Sequence, residues 1–399
     1  MGTPFDLVVE QPKQLAGREE RELLQHAAAR RTTPTIRIKL ALLHNLLDEF
    51  ADTIALLGET GPPGDYAAAS ALAAAHLGRG QAGDSAAALA AARHAAALAT
   101  SDIARAGALV DQARAMLAEG CKAEAHIALT AALDFDPANF EAFRALCAQW
   151  LDSNEPDRVL TVCDAIAARG AAHAQLLGMR TLALAKRGEP DAARALAGFD
   201  RFLVQTVPPA PEGWRDLPSF HAALAKELRA SPGLRNGRHG TASIASVRVD
   251  DPARATTPAM RALQQLVIAN VRKAVETLPP EDHPWLFQRP EAAMLRMWCV
   301  MTGSGGFERW HMHPKGWASG GYYVVVPDSV ERGNSAAGCL EFGVPSRFVG
   351  DAAAEAFGTR QVRPQAGLLT LFPSHAYHRT HPHGAEGLRI CIAFDLVPL

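Results

Sequence analysis

The 399-residue chain has few cysteines and few aromatic residues, and it contains no long uncharged apolar run. Its six cysteines are scattered without a C-x-x-C pair, which argues against a zinc ribbon and against a disulfide framework. No stretch is long enough for a membrane-spanning helix, and the first residues lack the apolar segment of a signal peptide. The net charge of -2 gives no general attraction to nucleic acid or anionic membranes. We therefore expect a cytoplasmic protein with neither a nucleic-acid nor a membrane partner.

The composition changes near residue 200. Before it, alanine dominates and apolar residues recur at helical spacing, and one of the expected helices spans residues 36–57. After it come glycine, proline and short β-rich runs such as 322–326. The pattern predicts an α+β multidomain protein with three parts, namely a helical repeat domain at 1–200, a linker at 201–234 and a mainly β domain at 235–399.

The helical half contains an internal repeat. Gly120, Asn154 and Gly188 are spaced 34 residues apart, and each follows an apolar helical segment. Pro156 and Pro190 then suit the first turn of a new helix. A helix–turn–helix period of this length resembles the tetratricopeptide repeat and implies a solenoid of stacked helix pairs. The alternative is a helical bundle without repeats.

Six of the fifteen histidines lie between residues 311 and 383, as a metal centre would require. His311 and His313 form an H-x-H, and alternate residues of a strand face the same side. His378 would arrive from another strand as a third ligand, with His375, His381 and His383 as its competitors. Imidazole suits Fe, Zn, Cu and Ni, so the histidines alone leave the metal open. The alternative is that the pair binds backbone carbonyls.

Arg389 lies inside an otherwise apolar strand. A buried guanidinium without a partner is very costly, so it must face an anion or a wet cavity, and its planar fork suits a carboxylate. The partner could instead be an acidic residue of the same domain. Tyr322 and Tyr323 point to opposite faces of their strand, so only one of them can reach a shared pocket.

An ordered set of motifs carries a family resemblance over about 105 residues. The motifs are Trp310–Pro314, Ser319–Val324, Gly338–Phe342, Gly367–Ser374, His378 and Arg389–Phe394. Together they resemble the 2-oxoglutarate- and Fe(II)-dependent oxygenases, and in particular a bacterial group often fused to tetratricopeptide repeats. The resemblance implies a double-stranded β-helix (jelly-roll). It also implies Fe(II) on His311, His313 and His378, with 2-oxoglutarate bound by Arg389 and Tyr323.

The sequence departs from many of these relatives at His313, where they carry Asp or Glu, although the group with the H-x-H-P-x-x-x-x-S-G string commonly has histidine there. A third neutral imidazole leaves the site one charge more positive. Tyr323 could also be an ordinary aromatic residue of the barrel core. Residues expected on the substrate side are Trp310, Trp317, Arg309 and Glu308, which flank the ligand segment, together with His375.

The resemblance implies a hydroxylase that oxidises a substrate C–H bond while 2-oxoglutarate is converted to succinate and CO2. Because a helical solenoid presents a concave surface to extended chains, we expect a peptide or protein substrate. The helical half could also pair two copies as a homodimer. Two alternatives stay open, namely a three-histidine metalloenzyme that does not use 2-oxoglutarate, and an inactive scaffold that binds partners.

Overall fold

The computed structural model describes residues 5–10, 15, 17–58, 62–170, 173–237, 241–252 and 256–399. Twelve helices in the described part of the first half are α1 Gly17–Arg30, α2 Pro34–Leu46, α3 Phe50–Gly58, α4 Tyr66–Arg79, α5 Asp84–Leu98, α6 Asp102–Ala118, α7 Lys122–Phe135, α8 Phe140–Asp152, α9 Pro156–Ala168, α10 Ala174–Arg187, α11 Pro190–Ala197 and α12 Phe199–Phe202.

The strands are β1 Asp6–Val9, β2 Val204–Thr206, β3 Leu234–Asn236, β4 Ser243–Val249, β5 Ala292–Glu308, β6 Ala318–Val325, β7 Leu340–Phe342, β8 Arg360–Val362, β9 Leu369–Pro373, β10 His378–Thr380 and β11 Arg389–Pro398. The remaining helices are α13 Leu217–Arg229, α14 Pro258–Glu276, α15 Pro284–Phe287, α16 Asp328–Glu331, α17 Ser346–Val349 and α18 Asp351–Phe357.

The helical half consists of helices that pack against their neighbours along the chain. Contacts also join α4 with α6, α6 with α8, and α8 with α10, as in stacked helix pairs. Gly120, Asn154 and Gly188 all adopt positive φ angles of 79°, 59° and 89° in the turns between paired helices. Each turn needs this left-handed conformation, which Gly adopts freely and Asn tolerates. The 34-residue period is thus a period of helix pairs, and its assignment to the tetratricopeptide family stays a prediction.

The β half is a double-stranded β-helix, as predicted. Its larger sheet has the strand order β2-β9-β6-β11-β5-β4-β3, and its smaller sheet has the order β10-β7-β8. Helices α13 and α14 cover the outer face of the larger sheet, where Phe220, Leu263 and Phe394 are fully buried in one apolar core. Burying such side chains supplies the main stabilisation of this layer. The opposite face of the larger sheet faces the smaller sheet across a cavity lined by residues of both.

The expected linker at 201–234 is folded. Its strand β2 pairs antiparallel with β9, and its helix α13 lies on the larger sheet. Phe202 is buried at the start of this segment and anchors it to the core. The prolines that follow had favoured a linker, so the sequence did not indicate this packing. The chain also contributes β1, which pairs parallel with the beginning of β5.

The helical half packs directly on the β domain through α10 and α11. Lys186 of α10 donates to the carbonyl of Phe348 (3.1 Å), and Arg194 of α11 donates to the carbonyl of Phe357 (2.8 Å). One apolar core extends from the helix pairs to the smaller sheet. Among the described residues, no helix is both long and apolar enough to cross a membrane.

Candidate metal and cosubstrate site

The three predicted ligand histidines meet at the open edge between the two sheets. His311 and His378 exchange backbone hydrogen bonds of 2.9 Å in an isolated antiparallel bridge, and the backbone N–H of His313 donates to the carbonyl of Ser374 (2.9 Å). The sequence had suggested a regular strand for the H-x-H. The structure places it in an extended segment after β5. One ligand atom from each histidine lies within 4.8 Å of the others.

The Nδ1 atom of each of these histidines faces an oxygen acceptor. For His311 the acceptor is the carbonyl of Arg309 (2.7 Å), and for His378 it is the carbonyl of Ala376 (2.9 Å). For His313 it is the carboxylate of Asp395 (2.6 Å). Since these oxygens accept hydrogen bonds, Nδ1 carries the hydrogen and the lone pair of Nε2 is left for a metal.

The electrostatic environment keeps two of the three imidazoles neutral, which is the form that binds a metal. Burial, followed by the neighbouring His313, lowers the pKa of His311 to about 3. Burial, followed by His311, lowers the pKa of His378 well below its usual value. Three converging nitrogen donors fit Fe(II), for which imidazole is a normal ligand.

The competing histidines are held elsewhere. His375 is buried, and its Nε2 bonds to the carbonyl of Leu196 at 2.8 Å. The Nε2 of His381 contacts a carboxylate oxygen of Glu341 (3.0 Å). His383 approaches the carbonyl of Thr302 at 3.2 Å. The structure therefore brings His378, and none of these three, to the H-x-H pair.

Arg389 is 3% exposed at the start of β11 and borders the same cavity. Its two terminal nitrogens donate to neutral acceptors, the carbonyl of Gly338 (2.9 Å) and the hydroxyl of Thr380 (3.1 Å). Both hydrogen bonds that Arg389 donates within the described ranges go to neutral groups, and Glu308 interacts with its charge without forming a hydrogen bond to it. A buried guanidinium with only neutral hydrogen-bond partners suits an anionic ligand.

The two adjacent tyrosines are separated by the alternation of β6. Tyr323 lines the cavity beside Arg389, and burial raises the pKa of its hydroxyl, which therefore stays a hydrogen-bond donor. The hydroxyl of Tyr322 lies on the other face of the sheet, 2.7 Å from Nε2 of His221.

The cavity between the sheets has a volume of about 190 Å³. Besides His311, His313, His378, Arg389 and Tyr323, its walls include Arg248, Trp298, Glu308, Gly321, Phe372, Thr380 and Cys391. Burial raises the pKa of Glu308, and its Oε1 atom is buried with no hydrogen-bond partner in the described part of the chain. This combination of a cationic clamp and converging nitrogen donors can hold a metal together with a carboxylate-bearing ligand.

Of the residues expected on the substrate side, only Glu308 borders this cavity. Trp317 is in the core, stacked on Trp285 with ring centroids 4.7 Å apart. Trp310 packs under the guanidinium of Arg379, which lies 4.7 Å from its ring centroid. Arg309 is exposed and donates to the carbonyl of Thr241 (3.1 Å). For Trp310, Trp317 and Arg309, as for His375, closeness in sequence to the ligands does not place the side chain in the pocket.

Sequence reasoning missed Arg248, Trp298 and Asp395. The ring of Trp298 stacks on His313, with ring centroids 5.6 Å apart. The guanidinium of Arg248 lies over the ring of Trp298, 5.8 Å from its centroid. A signal was present, because Arg248 and Asp395 are charged residues inside apolar strands, as Arg389 is.

Comparison with known proteins identifies the β domain. Residues 296–395 match the family model described as "Putative 2OG-Fe(II) oxygenase". The matched range contains the three converging histidines, Arg389 and Tyr323. Residues 296–395 therefore form a 2-oxoglutarate- and Fe(II)-dependent oxygenase domain, with Fe(II) and 2-oxoglutarate as its cofactor and cosubstrate.

Solved structures give weaker likenesses. A prolyl-4-hydroxylase from Pseudomonas putida is 19% identical with a TM-score of 0.35, over 52% of this chain and 98% of that one. The α-ketoglutarate-dependent epimerase SnoN of nogalamycin biosynthesis is 18% identical with a TM-score of 0.35, over 52% and 84%. HygX from Streptomyces hygroscopicus is 16% identical with a TM-score of 0.31, over 50% and 84%. No curated protein matches the chain. The assignment rests on the family model.

Proposed function

We propose that this protein is a hydroxylase that uses Fe(II) and 2-oxoglutarate to oxidise a C–H bond in a peptide or protein side chain. His311, His313 and His378 would hold the metal, and Arg389 and Tyr323 would hold the distal carboxylate of 2-oxoglutarate. The observation that carries the proposal is the convergence of one ring nitrogen from each of the three histidines, beside a buried guanidinium whose hydrogen-bond partners are neutral.

Each side chain has a separate task in this scheme. The Nδ1 hydrogen bonds fix the rings of the three histidines so that their Nε2 atoms point to one place. Arg389 and Tyr323 orient the cosubstrate through charge-assisted and neutral hydrogen bonds. Phe372 packs edge-on against His378, with centroids 4.9 Å apart, and helps to keep water from the site. Bound Fe(II) with 2-oxoglutarate and O2 would supply the oxidising chemistry, in which one oxygen atom of O2 enters succinate, the other enters the substrate as a hydroxyl group, and CO2 is released.

A groove beside the cavity supports an extended substrate. This groove has a volume of about 870 Å³ and shares Arg248 and Trp298 with the metal cavity. Its walls include Arg18 and Leu46 from the helical half and Asp250 from the β half. Both halves of the chain would therefore select the substrate. From the helical half, the helices that line the groove are α1 and α2, whereas α10 lies behind the H-x-H segment.

The first test is an anaerobic titration of metal-free protein with Fe(II) and 2-oxoglutarate. The readout is the visible metal-to-ligand charge-transfer absorption band. We expect a band in the wild type, none in His378→Ala, and a much higher 2-oxoglutarate requirement in Arg389→Ala. His381→Ala and Arg363→Ala are matched controls, since both side chains bond outside the cavity, Arg363 to the carbonyls of Val330 and Ser335. Iron binding without a band would indicate a centre that does not use 2-oxoglutarate.

The peptide substrate is tested separately. A peptide library is incubated with the Fe(II)- and 2-oxoglutarate-loaded enzyme, and succinate release and the gain of one oxygen atom are followed by mass spectrometry. A hit should be lost in Leu46→Glu, which changes the groove and leaves the metal cavity intact. If only small molecules stimulate succinate release, the oxygenase assignment stands and the peptide substrate is wrong.

A further inference from the structure

Asp395 lies on β11 directly behind one of the candidate ligands. Its Oδ1 atom accepts hydrogen bonds from Nδ1 of His313 (2.6 Å) and from the hydroxyl of Ser319 (2.7 Å). The hydroxyl of Ser374 lies 2.6 Å from that of Ser319 and extends the network. The side chain of Asp395 is only 13% exposed, so the carboxylate is fixed in position and largely removed from water.

The three imidazoles differ in what lies behind them. His311 and His378 donate from Nδ1 to neutral backbone carbonyls, whereas His313 donates to a carboxylate. Position 313 is also where the sequence departs from the usual acidic ligand. The site therefore keeps one negative charge beside position 313. In this chain the charge lies on Asp395, farther from the metal position by the width of the His313 imidazole ring.

The surroundings of Asp395 leave its charge available to the metal. In the described part of the chain, no Lys or Arg nitrogen lies within 4 Å of its carboxylate. Arg296, its cross-strand neighbour on β5, instead forms a two-point ion pair with Glu10 (2.8 and 2.9 Å). A nearly buried carboxylate with only neutral donors is costly, and a cation bound on the far side of His313 would offset that cost.

We infer that Asp395 is a positioning residue of the metal centre, which replaces the missing acidic ligand by acting through the imidazole of His313. The hydrogen bond fixes the tautomer and the ring orientation of His313 and makes Nε2 a stronger electron donor. The inference rests on the proposed Fe(II) site. It accounts for how a centre of three neutral ligands keeps the overall charge of a centre with two histidines and one carboxylate.

The test compares wild type with Asp395→Asn, which keeps the shape of the side chain and removes its charge. We expect the Fe(II) dissociation constant to rise by about 10- to 100-fold, the range found for outer partners of metal-bound histidines. The charge-transfer band with 2-oxoglutarate should move to shorter wavelength, because a weaker donor makes the bound Fe(II) harder to oxidise. Asp84→Asn is the control for losing a carboxylate beside a histidine far from the site, since Asp84 contacts Nδ1 of His76 (2.8 Å) in the helical half, where it also pairs with Arg79.

A charge exchange provides the second arm. His313→Asp alone would place two carboxylates side by side and should weaken metal binding. Combining it with Asp395→Asn removes this repulsion, so the double variant should bind Fe(II) more tightly than His313→Asp. An unchanged dissociation constant and band in folded Asp395→Asn would overturn the inference, as would a double variant no better than His313→Asp. Absence of the band in wild type would instead overturn the proposed Fe(II) site itself.

Discussion

Met312, the residue between the two histidines of the H-x-H, packs against Gly178 in the middle of α10. A β-carbon placed on Gly178 would lie 3.3 Å from Cε of Met312 and 3.4 Å from the carbonyl oxygen of His375. The ligand segment is thus supported from behind by a helix of the repeat half. The relationship links the geometry of the metal centre to the docking of the helical half.

Enlarging residue 178 should therefore disturb the metal. In Gly178→Ala, a gain of about 1 kcal/mol in helix propensity is offset by the tight contact, so the melting temperature should change little. Gly178→Leu should displace Met312 and weaken Fe(II) binding by about tenfold or more, equivalent to about 1.4 kcal/mol. Isothermal titration with the metal measures this. Gly107→Leu is the control, because it crowds Tyr66 in the helical half and should leave metal affinity unchanged.

The two adjacent tyrosines should separate cosubstrate binding from stability. Tyr323→Phe removes a hydrogen-bond donor from the cavity and should raise the 2-oxoglutarate dissociation constant by about 3- to 10-fold, as expected for one hydrogen bond. Tyr322→Phe breaks the bond to His221 and should lower the melting temperature while cosubstrate affinity is unchanged. Equal effects of both variants on 2-oxoglutarate binding would contradict the assignment of Tyr323.

Neighbouring glycines of β6 should respond differently to the same substitution. In Gly320→Ala, the new methyl group would collide with the carbonyl oxygen of Thr370 and the ring of Phe394, which should destabilise the fold by about 3 kcal/mol or more. In Gly321→Ala, it would lie 3.0 Å from Sγ of Cys391, which borders the cavity. Gly321→Ala should therefore fold and bind 2-oxoglutarate about tenfold more weakly. Thermal unfolding and the charge-transfer titration report the two effects separately.

Stability should fall on acidification because of His375. Burial lowers the pKa of His375 to about 4, from an ordinary value of 6.5. A depressed histidine pKa means that the unfolded chain binds the proton more readily, so stability is full above pH 6.5 and is lost as the pH falls towards 4. By pH 5 the loss from this residue is about 2 kcal/mol.

Replacing the buried imidazole of His375 should reduce the pH dependence of stability, and other buried histidines with a lowered pKa, such as His311, should maintain the rest. His375→Phe should be less stable at pH 7, because the carbonyl of Leu196 loses its partner, and it should lose less stability than wild type between pH 7 and pH 5. Denaturant unfolding at both pH values measures the difference. His26→Phe, at an exposed position of α1, should keep the wild-type pH dependence.

Periodic and motif-bearing segments could be predicted from the sequence. Helix α14, Pro258–Glu276, is of this kind, because its apolar residues recur at helical spacing and Thr257 caps its N-terminus. The convergence of His311, His313 and His378 followed from ordered motifs. The expected helix at 36–57 is wrong as a single element, since Asp48 adopts a φ of 61° and separates α2 from α3. No glycine or proline marks that break.

Contacts between distant segments could not be predicted. Trp317 follows the ligand segment closely, yet its ring stacks on Trp285 because the strand alternates and the core takes the larger apolar surface. Asp395 acts through His313, more than 80 residues away in the chain, and only strand pairing brings the two together. Pairing of this kind depends on the whole topology and not on any local pattern.

The pairing of β1 with β5 has a consequence for how the chain is made. Residues Asp6–Val9 are synthesised long before their partners Ala292–Leu295, because all the helices from α1 to α15 lie between them in the chain. Strand β1 can pair with β5 only after the segment that contains the helix pairs has been synthesised. Strand β1, which precedes the helical half in the chain, thus belongs to the sheet of the β half. A catalytic domain expressed from residue 235 onward would lack this strand of its larger sheet.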